Sequence, residues 1–506
     1  MIVDDQKETV EFLKRPQSYG LPGPVEAMET HISRIFLVGD RAFKVKRAVS
    51  LPYVDFSTPA LRFAACEKEV ARNSPTAPGL YLRVRRVVRR ADGLLAFDAK
   101  GDLVEPVIEM RRFAQEALFD AIARAGDLDA AMTERVVAMT VRFHERAPVV
   151  TGESGADNLA AVLDINRRGF ATSHVFSDEQ VEAFDTAFRA RLERHRRLLD
   201  ARAEAGWLRL CHGDLHLRNI CLLDGEPRLF DCIEFNDTIA TVDVLYDLAF
   251  LLMDLWHRGF ADLANLAANR YLDATGQAEG FVLLPFLMAI RAAVRAHVTA
   301  TQVEEGTANA AHLTREARAY FDLAKMLLED RPPRLVAVGG FSGSGKTTIA
   351  EVLAPKVGVP PGARIIESDR VRKQMYGVAP ETRLDAAAYG PDVSERVYAE
   401  MARRCHAVLA AGGSVVVDAV FDDPARRDLI ARSVGGTDAR FDGFWLEADE
   451  NILRARVAAR RGGPSDATLG VLEGQLARGA GPLSWERVAA DGATGEIAGA
   501  ILARIV

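Results

Sequence analysis

Gly340-Phe341-Ser342-Gly343-Ser344-Gly345-Lys346-Thr347 fits G-x-x-x-x-G-K-[ST] at every fixed position. It lies between an apolar strand pattern, Leu335–Val338, and a helical pattern opening at Thr348. That context separates the motif from a chance glycine-rich turn. Glycines let such a loop curl until its backbone N–H groups face inward toward phosphate oxygens, and the following helix N-terminus adds a positive field. Lys346 is placed to bridge the β- and γ-phosphates of a nucleotide, and the Thr347 hydroxyl to reach Mg2+. Gly340, Ser342, Gly343, Ser344, Gly345, Lys346, Thr347 and Thr348 are therefore the expected binding residues for ATP.

A loop of this kind requires a parallel sheet. Strand patterns at Leu335–Val338, Arg364–Glu367, Ser414–Val417 and Arg440–Leu446 alternate with helical ones, as in an α/β P-loop domain over 335–506. Ile365-Ile366-Glu367-Ser368-Asp369 reads as a strand ending in a carboxylate, so Asp369 can take the proton of an acceptor hydroxyl. Val415-Val416-Val417-Asp418 ends a second strand, with Asp418 suited to hold Mg2+ through water. Arg454, Arg456, Arg460 and Arg461 recur at helical spacing before a Gly-Gly-Pro loop. Alone they would read as a solvated basic face. Beside a phosphate loop they read as a lid that neutralises transition-state charge.

At 506 residues the chain exceeds what one core usually serves, and two or three domains are expected. The charged, proline-rich stretch Glu329-Asp330-Arg331-Pro332-Pro333-Arg334 marks the seam, giving domains 1–330 and 335–506. A net charge of −7 offers nothing to a general nucleic-acid binder. The five cysteines form no C-x-x-C pair, and the N-terminus has no apolar leader, so a reducing, cytoplasmic setting is expected. The most apolar stretch, Phe281–Ala300, carries Arg291 and Arg295 and reads as a core helix, with no membrane partner.

Before the seam, residues of about 25–110 look strand-rich and about 111–330 mostly helical. Arg34–Val38 and Arg41–Lys46 flank Gly39-Asp40 as a hairpin, and a helix with Thr58 as N-cap and Pro59 in its first turn runs to about Asn73. Further strands are expected at Leu80–Arg86 and Glu105–Glu109, and a strand–loop–strand unit at Leu208–Phe235. Inside it, His212-Gly213-Asp214-Leu215-His216-Leu217-Arg218-Asn219 has the H-x-D-x-x-x-x-N spacing of a kinase catalytic loop. Asp214 would accept the substrate proton and Asn219 would ligate Mg2+. The turn Asp224-Gly225 then leads to a strand ending in Asp231, the expected second magnesium ligand, with Glu234 as a reserve. Lys44 is the expected partner of the α/β-phosphates and Glu69 its orienting carboxylate. Lys46 shares Lys44's strand face and stays an alternative. Val107–Met110 stands where a lobe-connecting hinge would offer its backbone, at Met110, to adenine. The bland alternative for this half is a polar loop with a capping Asp214 and solvated lysines.

Cys211, His212, His216, Cys221 and Cys232 crowd together without zinc-ligand spacing, and core cysteines are the simpler reading. Arg83, Arg85, Arg86, Arg89 and Arg90 lack interleaved aromatics, so they read as a solvated edge strand rather than an RNA contact. His31, His144, His297 and His312 are isolated.

Across roughly 25–325, His212–Asn219, Asp231 and Asp243-x-x-x-Asp247-Leu248-Ala249 resemble the aminoglycoside phosphotransferase-like kinases. That resemblance implies a bilobal, protein-kinase-like α+β fold in which the last segment is structural. Over 335–506, Gly340–Thr347, Ser368-Asp369-x-x-Arg372, Val415–Phe421 and the Arg-rich helix before Ser465-Asp466-Ala467 are similar to small P-loop kinases. Gluconate kinase, chloramphenicol phosphotransferase and zeta-type toxins belong to that group. The similarity implies Asp369 as base, Arg372 and Arg427 as substrate contacts, and Arg460 or Arg461 as lid arginine. The chain departs from these patterns in two places. Gly463-Pro464 stands where close relatives carry an acidic residue, and no G-x-G-x-x-G covers the first site, leaving Thr30–Arg34 to do so.

The expectation is a bifunctional small-molecule kinase using ATP and Mg2+, each half phosphorylating a hydroxyl of a sugar, aminocyclitol or nucleoside-like acceptor. No obligate protein partner is expected. Two alternatives stand beside it. One half could be a regulatory ATP-binding module, or the C-terminal half a toxin-like kinase of nucleotide sugars or polynucleotides.

Overall fold

The computed structural model describes residues 3–30, 32–51, 54–304, 309–460 and 463–505. His31 and Arg461 lie outside them. The chain divides into two compact units, Met1–Thr172 with Phe176–Asp254, and Ser173–Val175 with Leu255–Val506.

The first unit opens on an antiparallel six-stranded sheet. Its order is Glu26–Glu29, Ser33–Val38, Arg41–Lys46, Asp102–Arg111, Tyr81–Arg89, Leu95–Phe97. The expected hairpin is present, with Ser33 opposite Lys46 and Val38 opposite Arg41. Helix Pro59–Asn73 starts as its cap dictates, Thr58 accepting from the Leu61 N–H. Helices Ala130–Arg146, Gly155–Phe170 and Asp178–Glu204 follow, the last begun by a reciprocal Ser177–Gln180 capping box. The hairpin Ile220–Leu223/Glu226–Leu229 turns at Asp224-Gly225, both at positive φ. Tyr81–Arg89 corrects one expectation. It has strand neighbours on both sides at Val87–Arg89, while over Tyr81–Arg86 it pairs with Asp102–Arg111 alone, and its arginines are matched by carboxylates there: Arg83 meets Glu109 at 2.8 Å and Arg85 meets Asp98 at 2.7 Å.

The second unit is built on a five-stranded sheet, parallel throughout, ordered Arg364–Glu367, Val415–Asp418, Arg334–Gly339, Arg440–Glu447, Glu486–Ala489. Its central strands are apolar runs buried on both faces, as helices on both sides demand. Helix Lys346–Leu353 begins inside the motif itself. The seam at 329–334 does end helix Ala310–Leu327 and precede the first strand, yet it falls within this unit. Helix Ala261–Thr275 explains why. Asn265 Nδ2 donates to the carbonyls of Pro361 and Ala363 at 2.8 and 2.9 Å, and Asn269 Oδ1 accepts from Arg364 and from the Ile365 N–H at 2.6 and 2.8 Å. Arg364 also pairs with Asp273. The following helix, Leu284–Glu304, is long and apolar enough to cross a membrane, but most of its side chains are buried.

Candidate active sites

In the first unit, strand Arg41–Lys46 directs two lysines to one buried carboxylate. Lys44 Nζ lies 2.7 Å from Glu69 Oε1 and also pairs with Asp231. Lys46 Nζ lies 2.6 Å from Glu69 Oε2 and also pairs with Glu234. Burial would raise the Glu69 carboxyl, but the two ammonium groups outweigh it and hold the acid low. Lys44, closer to solvent, is the one beside Asp231. Lys46 is the inner brace, and Glu234 is its partner.

The segment 212–219 is held by its own backbone. Asp247 accepts from the His212 and Gly213 N–H groups at 3.1 and 2.8 Å and bonds His144 Nε2 at 3.0 Å. Leu217 N–H donates to Asp254 at 3.0 Å. Asp214, part-exposed, accepts from Asn219 Nδ2 at 2.8 Å. Its His216 neighbour stands at 3.3 Å. Asp231 has a left-handed φ of 61°, and its N–H donates to the Tyr81 hydroxyl at 3.1 Å while its carboxylate pairs with Lys44. Lys44, Glu69 and Asp231 are thus joined directly, as are Asp214 and Asn219. Met110 is placed differently from a free hinge. It sits inside the paired strand Asp102–Arg111, opposite Ala42 and Tyr81, with its side chain among Leu37, Ala42 and Leu223. The Thr30 N–H donates to the Ser33 carbonyl at 2.8 Å.

In the second unit, a cleft of about 730 Å³ is lined by the phosphate loop, Glu367, Asp369, Arg372, Asp418 and Arg460. Glycine is required in the loop. A Cβ at Gly340, φ 147°, would come 2.6 Å from Ser344 Oγ, and one at Gly343, φ 88°, 2.6 Å from the Leu453 carbonyl. Thr347 Oγ1 donates to Asp418 at 3.0 Å and stands 3.5 Å from Glu367. Lys346 turns onto the Phe341 carbonyl at 3.1 Å. Burial pushes the Lys346 ammonium down to about 8, against the pull of Asp418 and Asp369. Burial also raises Asp418 to about 7 and Glu367 to about 8 and raises Asp369, with repulsion from Asp369 adding at Asp418, from Asp418 at Glu367 and from Asp466 at Asp369.

The arginines separate. Arg460 bonds Ser465 at 2.8 Å at the cleft wall. Arg454 is spent on Glu473 and Glu450, and Arg456 on the Ala490 carbonyl. Arg372 lines the cleft, stacked 4.7 Å over the Tyr389 ring. Arg427 corrects an expectation. Its buried guanidinium is consumed by the carbonyls of Phe421, Ala480 and Pro482, and its neighbour Arg426 lines the cleft instead. Asp466 meets Lys373 at 2.7 Å and Tyr389 at 2.5 Å, supplying an acid to the loop despite Gly463-Pro464. Sequence reasoning gave no role to Glu367 or Gln475, and it set aside as isolated His144, which the structure places 3.0 Å from Asp247. Only Glu367 carried a signal, two residues before Asp369 on its strand.

The phosphotransferase enzyme family matches residues 83–283, and the AAA_33 family, described as an AAA domain, matches 335–482. The first match runs past Asp254 into the helices of the second unit. A gluconokinase from Sinorhizobium meliloti is 26% identical, covering 35% of this chain and 94% of its own, with TM-score 0.24. A choline/ethanolamine kinase family protein from Mesorhizobium loti is 16% identical over 64% of this chain and 94% of its own, with TM-score 0.41. The two family matches define an enzyme of the phosphotransferase class, with two kinase-type domains in one chain. Uncharacterized proteins of Mycobacterium tuberculosis and Mycobacterium bovis are 31% identical to it over 478 residues, 90% of this chain and 90% of theirs. The chain belongs to their family.

Proposed function

We propose that the chain is a bifunctional ATP-dependent kinase of the cytoplasm. Each half would transfer the γ-phosphoryl group to a hydroxyl of a small sugar-, aminocyclitol- or nucleoside-like acceptor. The observation that carries this reading is the oxygen set in the second cleft. Thr347 Oγ1 and Asp418 Oδ2 are 3.0 Å apart, Glu367 is beside them, and Asp418 Oδ1 is buried without a partner among the described residues. Hard oxygens of this kind fit Mg2+. In the first unit Asn219, bonded to Asp214, and Asp231, paired with Lys44, would be the residues to hold it. When bound, Mg2+ supplies charge neutralisation at the phosphate oxygens.

The chain's own groups do the rest. Lys346 and Arg460 face the phosphates in the second cleft, and Lys44, fixed by Glu69, faces them in the first. Asp369 and Asp214 accept the acceptor hydroxyl's proton. The acceptor oxygen–phosphorus bond forms as the bond from phosphorus to the bridging oxygen breaks, and ADP leaves with that electron pair. Arg372 contacts the acceptor.

Screening a metabolite library with labelled ATP tests the reading. Asp214→Asn should remove one set of labelled products and Lys346→Ala the other. Loss of a single set would reduce the protein to one kinase with a regulatory module, and no effect of either change would end the proposal.

A further inference from the structure

Gln475 lies on helix Leu469–Arg478, is 5% exposed, and reaches the phosphate loop. Its Oε1 accepts the Ser342 backbone N–H at 2.9 Å. A backbone N–H can be received only by the oxygen of a carboxamide, so this bond fixes which end of the side chain points where. The NH2 end makes no other hydrogen bond among the described residues, while Gln475 lines the same cleft as Lys346, Asp369 and Arg460. The helix has little freedom to move it. Leu472, one turn earlier, is fully buried against Leu453 and Val457, with Phe341 and Leu476 packed beside them.

We infer that Gln475 is a phosphate-contacting residue of this cleft, donating through its side-chain NH2 to the phosphoryl group in transfer. The inference rests on the kinase reading above. The loop spends the Ser342 N–H on Gln475, whose NH2 end keeps two donors with no partner among the described residues. Those donors are presented on a preorganised amide, the arrangement that strengthens a hydrogen bond to charge developing in a dry site. A glutamine that only braced the loop would serve ADP and ATP alike. One that holds the terminal phosphoryl group distinguishes them.

The test uses the full-length chain with Mg2+, titrated with ADP and with the β,γ-imido analogue of ATP. The P-loop site is the one that Lys346→Ala abolishes. Gln475→Met keeps the side chain's length and removes both polar ends. Gln475→Glu keeps the acceptor for Ser342 and removes the donors, so it stays informative if the first variant folds poorly. Both should weaken the imido analogue on the order of 10- to 100-fold, and Gln475→Met should weaken ADP, which lacks the terminal phosphoryl group, by about tenfold less than the analogue. Equal weakening of both nucleotides by Gln475→Met would make Gln475 a brace and overturn the inference, as would unchanged binding of the analogue by Gln475→Glu. If Lys346→Ala removes no nucleotide site from the unaltered chain, the kinase reading itself fails and takes this inference with it.

Discussion

Lys46 Nζ stands 2.6 Å from Glu69 Oε2, and neither side chain meets solvent. Glu69 therefore keeps one cation even when Lys44, on its other oxygen, turns toward a substrate. Lys46→Met leaves Glu234 buried without its cation and Glu69 with Lys44 alone, and should cost about 3–5 kcal/mol of stability. Lys44→Met leaves Lys46 on Glu69 and should cost less while removing phosphoryl transfer by the first half. Urea unfolding of the two variants checks the order; a larger loss for Lys44→Met would refute the division of labour.

The phosphate loop gives a contrast between neighbouring glycines. Gly343→Ala sets a methyl 2.6 Å from the Leu453 carbonyl at φ 88°, whereas Gly345→Ala meets nothing within 4 Å and bears only the strain of φ 89°. The left-handed conformation alone costs about 1–2 kcal/mol. Nucleotide binding at the second site should vanish in Gly343→Ala and persist, weakened, in Gly345→Ala, as read by titration calorimetry.

Asn269 joins helix and sheet inside the second unit. Asn269→Ala leaves the Ile365 N–H and one Arg364 N–H without their acceptor, which should cost about 1–3 kcal/mol. Strand Arg364–Glu367 leads straight to Asp369, so turnover by the second half should fall as well. Thermal melting and labelled-ATP transfer on one preparation test this. Full activity with lowered stability would confine Asn269 to a scaffold role.

His297 gives the second unit a pH dependence. Burial holds its imidazole down at about 4, below the ordinary 6.5. The unfolded chain then binds a proton before the folded chain does as pH falls, so stability is complete above pH 6.5 and declines between 6.5 and about 4. The slope from this group approaches 1.4 kcal/mol per pH unit. His297→Leu should flatten it in denaturant titrations at pH 7, 6 and 5, and an unchanged slope would place the acid sensitivity elsewhere.

Local rules made much of this chain readable. The Thr58–Pro59 start of its helix, the Arg34–Lys46 hairpin and the Gly340–Thr347 loop all depend on neighbours in sequence, and each lies where those neighbours place it. What escaped the sequence depends on partners far along the chain. Arg427 and Arg426 look equivalent until the carbonyls of Ala480 and Pro482 claim one of them. Gln475 has no motif around it, because its meaning comes from a Ser342 N–H 133 residues away. The seam at 329–334 likewise marks by proline and charge where a helix must stop, but not that helix Ala261–Thr275 before it meets the parallel sheet.

That last point bears on inheritance. Asn265, Asn269 and Asp273 lie within the stretch shared with the phosphotransferase family, yet their polar atoms are matched to carbonyls and an arginine of the parallel sheet. A genetic exchange at residue 330 that brought in a foreign P-loop half would set those groups against an unmatched strand. Exchange at the visible joint would thus leave a buried set of amide and carboxylate groups without the partners they have in this chain.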